Sequence, residues 1–166
     1  KTSLSLDYFY SIKNTVCPNG VLSLDYDAAN QNWGGSWRMP TQADFQTLYE
    51  ACGGTGISCA PPALSSANPG KGIYWVSAGQ TYISEYNGVA GILFCDGENM
   101  LFFVSAGYGL ETAYNGADTE GRYWFSTLKL DLPHYAYRLG FRKQSDVSVE
   151  NVSGRREGLT VRPVSD

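Results

Sequence analysis

The sequence predicts an α+β domain with short strands, few helices and long ordered loops, and three observations carry that reading. Helical signals fall early in the chain and strand signals late, which is the order expected when helices and antiparallel strands segregate. Gly is plentiful, at 19 of 166 residues, and supplies turns. Aromatics are plentiful too, with 12 Tyr, 7 Phe and 4 Trp, while charged residues make up only 17%. That balance suits aromatic packing beneath loops and excludes a disordered chain. The length fits a single domain over residues 1–166, and a chain of this size buries roughly 70% of its unfolded surface.

Each element follows from local pattern. Ser3 to Ile12 alternates and is aromatic, so it reads as an opening strand. Val21 to Leu24 reads as a second short strand, and Asp25 to Asn32 as a short helix stopped by Gly34 and Gly35. The clearest signal follows. Pro40 and Thr41 precede Phe45, Leu48, Tyr49 and Cys52, spaced i, i+3, i+4, i+7. Thr41 can cap that helix, and Asp44 falls at its third position, where the helix dipole favours a negative charge. Residues 53–72 and 106–121 read as loops. Strands are predicted at Ile73–Ser77, Val89–Cys95, Met100–Ser105, Tyr123–Thr127, Tyr135–Phe141, Val147–Val149 and Leu159–Val164, with Asp96 to Asn99 as a tight hairpin turn.

Charge is unevenly spread. Residues 1–121 carry a net −7 and residues 122–166 a net +3. The C-terminal quarter is therefore a mixed-charge, mildly basic surface, suited either to steering an acidic partner or to plain solvation. Its basic residues are interleaved with acids and do not form the stripe of a nucleic-acid binder. The four cysteines, Cys17, Cys52, Cys59 and Cys95, make no CxxC pair and no Cys/His cluster, so no zinc site is expected. Cys52 and Cys59 flank a Gly-rich stretch that can close a small disulfide, and Cys17 then pairs with Cys95 by elimination. Three connectivities exist in principle, and four unpaired thiols are the alternative. No segment has the pattern of a signal peptide or membrane span, so direct membrane insertion is not expected. The chain opens at Lys1 without a Met, as a processed form or an excised piece would.

Trp33 to Thr41 reads WGGSWRMPT and leads into the predicted helix. This segment resembles the bacterial "major paralogous domain" group of surface proteins, whose fold is C-type-lectin-like. The resemblance continues, in order, at Leu101–Tyr108 (LFFVSAGY), Tyr123–Thr127 (YWFST), Ala136–Phe141 (AYRLGF) and Gly158–Val164 (GLTVRPV). It covers residues 25–164. Phe125 departs from the family's usual Tyr-Trp-Ser-Ser-Thr, and only a local surface change is expected from it. The segment from Phe125 to Glu157 is also similar in layout to the C-terminal part of variable proteins of diversity-generating retroelements. In those proteins framework aromatics and aliphatics alternate with exchangeable residues. The resemblance implies an exported, extracellular or cell-surface protein, or one on a phage particle, that binds ligands on a lectin-like scaffold.

Catalytic patterns are missing. No pair of carboxylates is singled out by spacing for glycoside hydrolysis. His134 is the one histidine, and a Ser-His-Asp set with Asp131 would lack a nucleophile elbow. Sulfatase-activating enzymes, which share the broad fold, use cysteines late in the chain, and none follows Cys95 here. The sugar-binding loop motifs of calcium-dependent lectins, Glu-Pro-Asn or Gln-Pro-Asp, do not occur, and Asp96, Glu98 and Asn99 supply too few oxygens for calcium. Neither a P-loop nor GxGxxG is present, so no cofactor is expected. Arg38 and Arg162 are expected to be structural, bonding loop carbonyls. Trp33, Trp37, Trp75 and Trp124 are expected mainly in packing, with a sugar platform as the alternative.

The sequence therefore predicts a binding module rather than an enzyme, with a protein or glycan as partner. Along the strand at 135–142, Tyr137, Leu139 and Phe141 point one way and Arg138, Gly140 and Arg142 the other. Val147 and Val149 alternate likewise with Asp146, Ser148 and Glu150. The predicted ligand face comprises Phe125, Lys129, Asp131, His134, Tyr135, Arg138, Arg142, Lys143, Asp146, Glu150, Arg155, Arg156 and Glu157. Two alternatives stand beside it: a structural or tip component of a pilus-like assembly, and a hydrolase whose site the sequence does not mark.

Overall fold

The first ordered element departs from expectation. In the computed structural model, which describes residues 6–54, 56–57, 70–79, 88–143, 145 and 147–165, Leu6–Val16 is a helix, α1, and not a strand. The alternation of Ser3 to Asp7 breaks at the run Tyr8-Phe9-Tyr10. Beyond it, Phe9, Ile12, Lys13 and Val16 are half-buried at helical spacing, with Asp7 in the first turn and Lys13 in the last. Val21 makes a single bridge to Thr127 in place of the second predicted strand, and Leu24–Tyr26 is a short 3-10 turn.

The next segment is built on one buried carboxylate. Asp27 caps the helix α2, Ala28–Trp33, where its Oδ1 accepts from the amides of Ala29 at 2.8 Å and Asn30 at 3.1 Å. Its Oδ2 accepts from the Met39 amide at 2.8 Å. Gly34 ends the helix at φ 66°, a region that favours glycine. Asn30 then donates to the carbonyls of Gly35 and Trp37, so the WGGSWRMPT stretch folds back over α2. Its strand β1, Trp37–Arg38, pairs antiparallel with the chain's last strand β10, Val164–Ser165. Helix α3, Gln42–Ala51, is the one the sequence predicted. Thr41 and Asp44 form a capping box, and Phe45 is buried.

Two three-stranded antiparallel sheets make up the rest of the framework. One runs β2 (Gly72–Val76), β3 (Gly91–Cys95), β4 (Met100–Val104). The other runs β7 (Glu120–Leu128), β8 (Tyr135–Arg142), β9 (Ser148–Gly154). Between them the predicted loop at 106–121 contains a hairpin of β5, Tyr108–Leu110, and β6, Ala113–Asn115. The predicted strand at Leu159–Val164 is reduced to isolated bridges at Gly158 and Thr160 ahead of β10. β3 is buried along its whole length, which explains its unbroken apolar run Gly-Ile-Leu-Phe-Cys.

The main core lies where α3 and the inward faces of both sheets meet. Phe103 is its centre: its ring lies 5.3 Å from Phe45, 5.4 Å from Phe94 and 5.1 Å from Tyr123, each edge-on. Tyr123 and Phe125 of β7, Leu139 and Phe141 of β8, and Val147 and Val149 at β9 complete it. Arg162 fastens the C-terminal stretch to this core. Its Nη1 donates to the Phe102 carbonyl at 2.7 Å and its guanidinium lies 4.6 Å from the Phe103 ring. That is the structural role expected of it. Arg38 donates to the Met39 carbonyl at 3.5 Å and also pairs with the Asp44 carboxylate at 2.7 Å.

Candidate ligand-binding face

Strand alternation places the candidate site. Leu139 and Phe141 of β8 enter the core and Tyr137 packs at its edge, so Arg138, Gly140 and Arg142 take the opposite face. Register brings their neighbours alongside. Glu120 pairs with Arg142, Arg122 with Gly140, Trp124 with Arg138, and Arg138 with Asn151 of β9. A polar cavity of about 170 Å³ opens there, lined among others by Glu120, Arg122, Arg138, Gly140, Arg142 and Asn151.

An ion-pair network fixes most of this lining. The buried Glu120 carboxylate accepts from Arg122 Nε at 2.5 Å and from Arg142 Nη2 at 2.8 Å. Burial alone would raise its pKa, but the two arginines outweigh that and hold it below the ordinary value. Arg122 Nη1 also donates to Glu157 Oε2 at 3.1 Å, and its guanidinium lies 3.4 Å from the Tyr108 ring. Glu157 Oε1 accepts from the Gly154 amide at 3.0 Å. Arg138 is different. Its Nε donates to Ser153 Oγ at 2.9 Å, and its two terminal nitrogens have no protein partner among the described residues. Burial first, and repulsion from Arg122 second, push its pKa down to about 10, against the pull of Glu120 and Glu157. An arginine this far from its ordinary value is a charge in want of a counter-ion.

Twelve of the thirteen residues predicted as one face are described, and they do not form one. Phe125 is 2% exposed, and its ring lies 4.8 Å from Phe45 in the core. It shares the inward parity of Tyr123, so the departure from the family stretch is a core change and not a surface one. Tyr135 has the parity of Tyr137 and Leu139, opposite to Arg138. Lys129, Asp131, His134, Tyr135 and Arg155 gather at the turn between β7 and β8, about 24 Å of strand away from Arg142. The N-terminal helix meets that end. Tyr10 Oη donates to the Asp131 carbonyl at 3.0 Å, and the Arg155 guanidinium lies 5.3 Å from the Phe9 ring. Arg155 Nη1 also donates to the Pro133 carbonyl at 3.2 Å. His134 lies tilted against Tyr135 with ring centres 4.4 Å apart, and its Nδ1 is buried without a hydrogen-bond partner among the described residues. Lys129 pairs with Asp131 at 3.2 Å.

What remains on the cleft side is Arg138, Arg142 and, through its bond to Arg122, Glu157. Lys143, Glu150 and Arg156 are exposed, and Asp146 lies outside the described residues. Sequence reasoning missed Glu120, Arg122 and Asn151. The signal was available in β7, where Glu120, Arg122 and Trp124 alternate with Gly121, Tyr123 and Phe125, but the predicted strand began at Tyr123 and cut it off. Asn151 shares β9 with Ser153, which is buried and holds Arg138.

The cysteines do not pair as expected. Cys17, Cys52 and Cys95 are buried and none is in a disulfide. Cys17 lines a second cavity of about 160 Å³ with Leu22, Phe125 and Ala136, beside β7. Cys95 ends β3 in a separate cluster with Tyr74, Val76, Leu93 and Phe102. The two belong to different parts of the core, which rules out the pairing by elimination in this structure. Burial, with the nearby charges of Asp96 and Cys95, pushes the Cys52 thiol up to about 11. Cys59 lies outside the described residues. The tryptophans divide: Trp75 is buried, while Trp33 and Trp37 are 58% and 42% exposed. No helix among the described residues is long and apolar enough to cross a membrane.

Compared with family models, curated proteins and solved structures, the chain gives no significant match.

Proposed function

We propose that this domain is a ligand-binding module of a bacterial or phage surface protein, with a C-type-lectin-like fold, recognising a protein or glycan through the outward face of β7, β8 and β9. The observation that carries the reading is the cleft at Arg138. It sets a guanidinium edge with no partner among the described residues beside side chains that are already fixed by ion pairs. Glu120, Arg122, Arg142 and Glu157 hold one another, so little ordering entropy remains to be lost on contact with a ligand. The cleft carboxylates are bonded to arginines, an arrangement that favours positioning over proton transfer.

The lectin-like fold is supported by the ordered family-like segments and by where they fall. WGGSWRMPT packs between α2 and β10, YWFST lies in β7 and AYRLGF in β8. Diversification of Phe125–Glu157 by a retroelement belongs to the same proposal, restricted by the structure's division of inward and outward positions. Exchange is tolerable at outward sites such as Arg138, and not at Phe125. The test is a combined glycan and protein array probed with the intact domain and with an Arg138→Ala/Arg142→Ala double variant. The expected result is selective binding by the parent, weakened about tenfold or more in the variant, with both proteins folded. Binding that survives the double substitution would refute this face as the binding surface.

A further inference from the structure

The chemistry of the cleft narrows the ligand. Arg138 Nε is committed to Ser153 Oγ, so the edge left over is the pair of terminal nitrogens. That edge presents two parallel N–H groups, the geometry that a single carboxylate accepts in bidentate fashion. The room for this end of the guanidinium is made by Gly140. A Cβ placed on Gly140 would overlap Arg138 Nη1 and come within 2.9 Å of Asn151 Nδ2. Two sets of donors therefore converge above a residue that contributes no side chain.

Charge and size select further. Around the cleft, among the described residues, three guanidiniums of Arg122, Arg138 and Arg142 face two carboxylates of Glu120 and Glu157, which leaves one positive charge in excess. One excess charge matches a monoanion better than a phosphate or sulfate dianion, whose second charge would meet Glu120. The volume of about 170 Å³ lies below that of drug-sized sites, which run from about 300 Å³. One ring-sized residue of a longer ligand fits, and an extended peptide does not. The lining is polar, with Ser145 and Asn151 supplementing the arginines, and it offers partners to a hydroxylated body in place of an apolar one.

We propose that this cleft is a subsite for an acidic sugar residue, a uronic or sialic acid, whose carboxylate docks on the terminal nitrogens of Arg138 while its hydroxyls face Asn151 and Ser145. The inference rests on the binding reading of the same face. Burial and the neighbouring Arg122 both penalise the Arg138 charge, and an arriving carboxylate would offset that penalty.

Titration of the isotope-labelled domain with sodium glucuronate and with N-acetylneuraminate, followed by 1H–15N NMR, tests this. Saturable shifts are expected at the Gly140 amide, the Asn151 side-chain amide and Arg138 Nε, with little response to glucose at equal concentration. Arg138→Gln, Arg138→Lys and Gly140→Ala should each weaken glucuronate binding by about tenfold or more, the second because it keeps the charge and loses the fork. Lys71→Ala, which removes an exposed cation on the other sheet, should leave it unchanged. The spectra report folding for every variant, and Gly140→Ala and Arg138→Lys keep the test decisive if Arg138→Gln misfolds. Equal response to glucose, no saturation with either acid, or full retention in Arg138→Lys would overturn the subsite. So would tighter binding of inorganic phosphate, which would make it an oxyanion site, or of a short aspartate-containing peptide, which would make the source a protein. Array binding that ignores carboxylates and survives Arg138→Lys removes this inference alone. A domain that binds nothing on the arrays and nothing in the titration removes the binding reading as well.

Discussion

Replacing Phe45 by alanine removes a ring that is 4% exposed and lies 5.3 Å from Phe103 and 4.8 Å from Phe125. The neighbours belong to two different sheets and cannot both collapse into the space, so most of the cavity persists. Phe→Ala at such a site costs about 3–5 kcal/mol. For a domain of 150–250 residues each kcal/mol moves the thermal midpoint by about 2–4 °C, so a fall of roughly 6–20 °C is expected. Trp37 provides the internal comparison. The sequence places both residues in one framework, yet Trp37 is 42% exposed on the short strand β1. Its truncation forfeits only part of its burial and opens no enclosed cavity, for about 1–2 kcal/mol. Thermal unfolding by circular dichroism, run on the parent and both single variants, measures the difference. A Phe45→Ala midpoint within about 3 °C of the parent, or a Trp37→Ala loss as large as that of Phe45→Ala, would refute this account of the core.

Acid stability follows from Asp44 and Glu120. Burial would raise both carboxyls, but hydrogen bonds from Arg38 and Thr41 to the first, and from Arg122 and Arg142 to the second, hold both below their ordinary values of 3.8 and 4.5. A depressed folded pKa contributes stability that is complete above the unfolded value and lost as pH falls through the folded one. The midpoint should therefore change little down to about pH 5 on account of these groups and fall below about pH 4, with a shallower fall in Asp44→Asn and Glu120→Gln; equal slopes in parent and variants would contradict it. The Cys52 thiol, raised from 9.0 to about 11, should alkylate about a hundredfold more slowly than an ordinary exposed thiol near neutral pH. Modification mapped by mass spectrometry checks this, and a total of two rather than four thiols after unfolding without reductant would contradict the unbridged state of Cys17, Cys52 and Cys95. Arg122→Ala strips Glu120 and Glu157 of a shared partner and should cost about 2–4 kcal/mol, whereas Arg138→Gln should fall within about 1 kcal/mol of the parent. Chemical denaturation measures both, and the reverse order would show Arg138 to be a structural residue.

The parts of the fold that the sequence made legible are those decided by short-range rules. The capping pair Thr41 and Asp44 with Phe45 and Leu48 marks α3 without reference to anything distant. The period-2 alternation of Tyr137 to Arg142 marks β8 and assigns its two faces correctly. The failures share a different cause. Residues 3–12 carry both a strand pattern and, from Phe9 onward, a helical one, and only the place where the chain packs decides between them. The hairpin of β5 and β6 is too short and too rich in Gly and Asn to register as strands. At the site, alternation gave the orientation of Arg138 and Arg142, but the partners that define the cleft come from register. Glu120 stands opposite Arg142, and Arg122 opposite Gly140, across a turn and a bulge that sequence spacing does not encode. Phe125 and Tyr135 fall in the segment that resembles the variable stretch, and the strand parity that governs each excludes them from the face of Arg138.

That parity also bears on why Arg138 persists. A half-buried guanidinium with one hydrogen bond from Nε and, among the described residues, none from its terminal nitrogens is a poor bargain for folding. Its desolvation is paid without the ion pairs that offset the same cost at Arg122, so a neutral side chain of similar length would serve the sheet at least as well. Gly140 adds a second local cost, since glycine in a strand interior is less favourable than alanine by roughly 0.5–1 kcal/mol. The two costs coincide in space, because the missing side chain of Gly140 is what leaves room for Arg138 Nη1. Where sequence choices that weaken a fold cluster at one spot and are mutually dependent, function is the expected compensation. The outward face of β8 is such a spot. The competing view, that Arg138 merely packs over Ser153 and Gly140, accounts for the single Nε bond and for the glycine beneath Nη1, but not for terminal nitrogens that find no acceptor among the described residues.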